Sequence, residues 1–208
     1  MTIILKRVVK TENEPYLSLY FEVSSGERTT KKVLLLDASR YFELKLKKGE
    51  ITREVYEALQ NEAKNCAAYR RGIGLLAYGA NSSRALERKL RQRGFDGGSA
   101  RAAAERLGEE GFIDESSDAV RFAESCVKKL LGERCIIARL REKGYGREAM
   151  SAAEEWLSEI DFTENCKKLI EKKFGVFPKG KKEAEKAISA LVRQGYSLTQ
   201  IKNALKEI

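Results

Sequence analysis

The 208-residue sequence predicts a mainly α fold: three tandem three-helix, helix-turn-helix-like repeats in an elongated array, preceded by a small N-terminal β-hairpin/helix block. Three observations predict it. Residues 85–94 (ALERKLRQRG) return as residues 135–145 (CIIARLREKGY) and again, degraded, as residues 187–196 (AISALVRQGY). Gly94 and Gly144 stand 50 residues apart, and Gly144 and Gly195 51, the kind of fixed period that marks repeat architectures. Within each copy, apolar residues stand four apart: Leu86 with Leu90, Ile136 with Leu140, Ala187 with Leu191. Residues so spaced share one helix face, so each copy is a short helix with one buried side.

The chain opens with β-branched and aromatic runs over residues 3–9 and 16–23, with a turn signal at residues 12–15, which together read as a hairpin. A third strand is expected over residues 28–36. Asp37 and Ser39 can cap a short helix over residues 41–46, ended by Lys47, Lys48 and Gly49. Thr52 then starts a longer helix with Val55, Leu59 and Ala63 on one face. This block, residues 1–61, is small enough that alone it would bury little.

The first repeat is read as residues 62–114, the second as 115–161 and the third as 162–208. Tyr69, Ile73, Leu76, Ala77 and Ala80 form a helical stripe that matches Ala119, Ala123, Cys126, Val127 and Leu130 one period later. Asn81, Ser82 and Ser83 supply the N-cap of the first middle helix. Gly94 followed by Phe95 is a stop-and-turn, as are Gly144 with Tyr145 and Gly195 with Tyr196. A turn at residues 96–99 leads into an alanine-rich helix carrying Ala103 and Leu107, matched by Ala153 and Leu157, then Ala204 and Ile208. Gly132 separates the first two helices of the second repeat. Residues 174–182 (FGVFPKGKK) form a loop, and Ser197 to Gln200 is a capping box that starts the last helix. Trp156 and the tyrosines at 69, 145 and 196 fall at packing positions.

Composition narrows the chemistry. Apolar stretches are too short for a membrane span or a signal peptide, so a cytosolic protein is expected. The four cysteines, Cys66, Cys126, Cys135 and Cys166, form no C-x-x-C pair, and the chain has no histidine. That removes the usual zinc sites and the histidine-based nucleophile arrangements, and no cofactor or metal is expected. Cys126 and Cys135 read as buried free thiols. No phosphate-binding glycine motif is present, and the glycines of RRGIGLLAYG lie in a helical pattern. Glu109, Glu110, Glu154 and Glu155 read as solvated helix faces, and no enzymatic activity is expected.

Net charge is +9 and uneven: 11 basic and 10 acidic residues over 1–62, 10 and 6 over 63–114, 8 and 10 over 115–161, and 11 and 5 over 162–208. A basic excess suits a polyanion. The exposed positions of the first repeat offer Arg84, Arg88, Lys89, Arg91 and Arg93. The second offers Arg134, Arg139, Arg141 and Lys143. The third offers Lys172, Lys173, Lys181 and Lys182, with Lys179 and Arg193 close by. Such residues neutralise phosphates without reading sequence.

These residues bring out a family resemblance. Leu76-Ala77, then Leu86 to Leu90 (LERKL) and Arg93-Gly94-Phe95, are similar to the RecX pattern L-A-x-R…E-L-x-x-K-L…K-G-F. Gly111 to Glu115 (GFIDE) with Ala119, Phe122 and Ala123 resembles G-x-I-D-D-x-x-F-A. Leu140, Lys143, Gly144 and Tyr145 resemble L-x-x-K-G-I. The similarity spans residues 62–161 clearly and 162–208 loosely. It departs at Tyr78, Gly79 and Asn81, where relatives often carry arginines, at Ala85 in place of glutamate, and at Glu115 in place of aspartate. The resemblance implies a non-enzymatic negative regulator of the RecA recombinase. Such a protein lies in the groove of the RecA–single-stranded-DNA filament, hinders ATP turnover, strand exchange and co-protease activity, and acts in DNA repair, homologous recombination and the SOS response. A monomer with RecA filament and DNA as partners is expected. The rival reading is a helix-turn-helix transcription regulator, which needs base-reading side chains and normally a dimer.

Overall fold

The computed structural model describes residues 1–11 and 15–207. The turn expected over residues 12–15 thus falls mostly outside the described residues, and so does Ile208. Among the described residues the chain is mostly helical, with ten helices and one small antiparallel sheet. It forms two compact units, one of Met1–Gly79 with Leu86–Phe112, the other of Ala80–Ala85 with Ile113–Ile208.

In the first unit, β1 (Thr2–Lys10), β2 (Tyr16–Ser25) and β3 (Arg28–Asp37) form a meander. A short β4 (Gly49–Ile51) pairs with β1, so the strand order is β3-β2-β1-β4. Alternation puts Ile3, Leu5, Leu17, Leu19, Phe21 and Leu36 on one buried face. That face packs on α2 (Arg53–Leu76), where Tyr56 meets Phe21 edge-on at 5.1 Å and Leu59 is buried. Strand β4 has no periodic signal of its own, since pairing of Ile51 with Ile3 is what makes it a strand. The short α1 covers Ala38–Glu43, earlier than residues 41–46, because the Asp37 carboxylate accepts from the Ser39 N–H and starts the helix at once.

Thr52 caps α2 as its sequence predicts, and the helix runs unbroken into the first repeat. The expected stripe fails at Ile73, which is 37% exposed, and at Ala77 and Ala80, which are exposed beyond the last helical residue, Leu76. Gly72 faces inward instead. A Cβ there would stand 2.6 Å from Leu107 Cδ1, so the absent side chain is what lets α4 (Gly97–Glu109) pack on α2. Asp96 caps α4 through the Ser99 N–H at 2.9 Å, and Gly97 and Gly98 belong to the first helical turn rather than to a preceding loop.

The remaining helices are α3 (Ser83–Gln92), α5 (Glu115–Lys128), α6 (Glu133–Lys143), α7 (Arg147–Ser158), α8 (Phe162–Phe174), α9 (Lys181–Arg193) and α10 (Leu198–Lys206). They fall in triplets with a recurrent pattern: α5 packs on α7 and α8 on α10, as α2 does on α4. The stripe residues Leu86, Leu90, Ile136, Leu140, Ala187 and Leu191 are all buried. Each large aliphatic side chain so buried contributes about 1.5–3 kcal/mol. The stop glycines Gly94, Gly144 and Gly195 have φ of 91°, 80° and 99°, the left-handed region that ends a helix. The capping box at Ser197 is present with both of its hydrogen bonds.

The second unit has one continuous core, running from Ala119 and Ile136 through Phe162 and Cys166 to Leu191, Tyr196 and Ile201. The second and third triplets are joined where α6 begins and α9 ends. There the Gly132 N–H donates to Gln194 C=O at 2.8 Å, and the Tyr196 hydroxyl donates to Leu130 C=O at 3.0 Å. Tyr69, Tyr145 and Tyr196 are buried, in keeping with packing roles. Cys126 is buried as expected, whereas Cys135, at the start of α6, is only partly so.

Candidate nucleic-acid interface

Among the described residues no cluster of histidine, cysteine or carboxylates could hold a metal ion, and no helix is long and apolar enough to cross a membrane. The candidate site is the set of cations singled out above. Of these, Lys89 is half-buried on α3 and the rest are exposed.

The repeat geometry sorts the cations of the middle helices into rows. On α3, Arg84, Arg88 and Arg91 follow i, i+4, i+7, and Lys89 and Arg93 form a second row i, i+4. On α6, one period later, Arg134 and Arg141 occupy the first row, and Arg139 and Lys143 the second. The first row lies on the side away from the buried stripe and the second beside it, so the four cations of α6 do not share one face. The third repeat breaks the pattern: one period on, α9 carries Glu185, Ala190, Val192 and Gln194. Its cations sit instead in the last turn of α8, at Lys172 and Lys173, and in the first turn of α9, at Lys181 and Lys182.

Position on the helix separates bland from informative charge. Cations in a last turn complement the helix dipole by about 0.3–1 kcal/mol each. That accounts structurally for Lys89, Arg91, Arg141, Lys143, Lys172 and Lys173. Arg84, Arg134, Lys181 and Lys182 lie in first turns, where the dipole opposes them. Among the described residues none of these four makes an ion pair. By contrast, exposed cations on other helices pair one turn away, as in Arg53–Glu57 at 2.7 Å and Lys128–Glu124 at 2.6 Å. A helix N-terminus bearing an unpaired cation is suited to an anion, phosphate above all.

In the second unit, the approach to α3 is held by Glu115. Its carboxylate accepts from the Ser83 N–H at 2.6 Å and from the Gly146 N–H at 2.9 Å. Burial pushes this carboxyl up, but the hydrogen bonds from Gly146 and Ser83, together with the nearby charge of Arg84, outweigh it and leave the group below the usual glutamate range. Ser82 Oγ accepts from the Ala85 N–H at 3.2 Å and donates to Lys143 C=O at 2.8 Å. A Cβ on Gly144 would lie 3.2 Å from Arg84 Cβ, so Arg84 stands against the end of α6 beside Lys143. The Lys143 ammonium lies 4.5 Å from the Phe122 ring centre. Nothing in the spacing of the sequence brings Arg84 and Lys143 together. The reciprocal Ser82 and Glu115 bonds do.

No family model matches the chain. Its sequence is 37% identical over 141 residues to the regulatory protein RecX of Xanthomonas campestris pv. campestris (strain B100), a match that covers 65% of this chain and 84% of that one. The chain belongs to the RecX family. Its fold is that of RecX crystal structures. One, at 19% identity, superposes with a TM-score of 0.75 over 98% of this chain and 100% of the other. RecX from Lactobacillus salivarius gives 0.59 over 69% and 96%, also at 19% identity.

The RecX resemblance directs attention to the cations of the middle helices, and a polar network that joins the N-terminal block to the first repeat is missed. Arg106 on α4 donates to Asp37 at 3.1 Å and to Glu110 at 2.7 Å, and its guanidinium lies 4.1 Å from the Tyr69 ring centre. The Tyr69 hydroxyl donates to Glu110, and burial together with that bond pushes the phenol up to about 12. Glu110 is therefore not the merely solvated carboxylate its sequence context suggests. The four groups tie β3, α2 and α4 into one body.

Proposed function

We propose that this RecX-family protein is a negative regulator of RecA that binds the groove of the RecA–single-stranded-DNA filament and lowers its ATPase, recombinase and co-protease activities. The observation that carries the reading is the set of exposed, unpaired cations in the first turns of the middle helices, Arg84, Arg134, Lys181 and Lys182. Carboxylates stand at the same helix starts, Glu115 at α3, Glu133 at α6 and Glu183 at α9, but among the described residues none forms an ion pair with these cations, which leaves all four open to an external polyanion. The regulatory name of the relatives supports the same class of role.

In this reading residues 1–61, 62–114, 115–161 and 162–208 act as successive modules of a cytoplasmic, non-enzymatic monomer. Charge within the middle module is divided between helices. α6 carries Arg134, Arg139, Arg141 and Lys143, while α7 exposes Glu148, Glu154 and Glu155. That division supports α6 turning to phosphate and α7 to protein. The rows offer Arg and Lys rather than Asn or Gln, which favours backbone neutralisation over base reading and disfavours a transcription regulator.

The test is ATP hydrolysis by the cognate RecA on single-stranded DNA, titrated with this protein at two salt concentrations. Inhibition at or below stoichiometric protein, weakened at higher salt, is expected. Unchanged hydrolysis at both salts, with DNA binding intact, would overturn the reading.

A further inference from the structure

The sheet of the first unit has a second face, which α2 does not cover. Register places Arg7, Tyr20 and Val33 opposite one another across β1, β2 and β3, and Val9, Ser18 and Leu35 in the next row. A solvent-facing sheet surface ordinarily alternates to polar residues. Here Val9 and Val33 are 42% and 54% exposed, and Tyr20 is half-buried between them. The Arg7 guanidinium lies 3.9 Å from the Tyr20 ring centre. Lys6 and Lys31 join these two around a hollow of about 200 Å³, whose one carboxylate, Glu22, is engaged by Lys6 at 3.0 Å; Lys32, opposite the buried Phe21, belongs to the other face.

A guanidinium plane backed by an aromatic ring, with lysines at its margin, has the parts of a single-strand platform: the Arg7–Tyr20 layer to stack a base and ammonium groups to follow the phosphates. A duplex keeps its base faces stacked inside, so stacking selects a single strand. We propose that this outer face, centred on Tyr20 and Arg7, is a second nucleic-acid contact that takes single-stranded nucleic acid. An acidic protein would match the lysines but leaves the Arg7–Tyr20 stack and its flanking valines without a role. The proposal rests on the sheet alone and not on the RecA reading. Its test contains no RecA, so either can fail without the other.

Binding of fluorescein-labelled oligothymidylate to the full chain is measured by anisotropy over a range of salt. The variants are Tyr20→Ala, Tyr20→Phe and the pair Lys6→Gln with Lys31→Gln, whose side chains share the face of Tyr20. Cross-linking to a 5-iodouracil oligonucleotide maps the contact. Tyr20→Ala should weaken binding on the order of tenfold at an unchanged salt slope, and Tyr20→Phe should restore it. The lysine pair should lower the slope by about 0.7 per side chain. Cross-links should fall on β1 to β3. Tyr20 points away from the core, so melting temperature should stay put. If Tyr20→Ala nevertheless unfolds, the lysine pair and the cross-link decide. Binding within twofold of the parent in all variants, with no cross-link on these strands, would overturn the proposal and leave the face to a protein partner. No binding of oligothymidylate by the parent chain would overturn it as well.

Discussion

Replacing Gly132 with alanine should be among the most damaging single-methyl changes in the chain. A Cβ at 132 would stand 2.3 Å from the carbonyl carbon of Gly195, 2.5 Å from Tyr196 N and 2.6 Å from Gly195 O. All three are backbone atoms, so no side chain can swing aside. Reaching ordinary contact requires the start of α6 and the end of α9 to part by roughly 1 Å. That movement stretches the 2.8 Å bond from Gly132 N–H to Gln194 C=O and the 3.3 Å bond from Arg134 N–H to Gly195 C=O. It also unseats Tyr196, which has no exposed surface. Overpacking of this kind costs about 1–3 kcal/mol. A buried backbone group left without its partner costs about 1–3 kcal/mol more. The expected loss is therefore about 3–5 kcal/mol, or a melting temperature lower by roughly 15 °C or more for a unit of this size. Trp156, the only tryptophan, packs against the same core, so its fluorescence in a urea titration reports this unit. Gly108→Ala in the first unit, followed by circular dichroism over the whole chain, is the control for a helical alanine with nothing within 4 Å of its Cβ. A Gly132→Ala midpoint within about 0.5 kcal/mol of the parent would refute the reasoning, because it would mean the two turns part freely.

Two further outcomes follow from the same geometry. Glu115, held below the usual glutamate range by the Ser83 and Gly146 N–H groups, contributes stability that is fully present above the unfolded-state pKa near 4.5 and is lost as pH falls through its lower folded value. An acid titration of Trp156 fluorescence should show this loss in the parent and not in Glu115→Gln, which is less stable at neutral pH but flatter below pH 4.5; identical profiles would dismiss the role. Gly74→Ala places a methyl on α2 with nothing within 4 Å and should raise stability by about 0.5–1 kcal/mol, read as a higher midpoint in circular dichroism.

By itself the sequence determined whatever depends on local spacing. The three copies of the stripe, from Leu86 and Leu90 to Ala187 and Leu191, the stop glycines, the Thr52 and Ser197 caps and the three long strands follow from periodicity and turn chemistry, which act within a few residues. Family membership was legible too, because the order of these short motifs persists when single motifs drift. The tertiary structure alone decided the rest. β4 exists only through Ile51 facing Ile3, and Ile73 is turned out because Gly72 admits Leu107. Of the charges, the sequence named the cations and, through helical spacing, their rows, but not the placing of Arg84 against the end of α6 through Glu115, 31 residues from Gly146. The Arg106 network and the Tyr20–Arg7 face were invisible for one reason: their partners lie on different strands and helices. Chain spacing carries no trace of a contact until packing brings its two halves together.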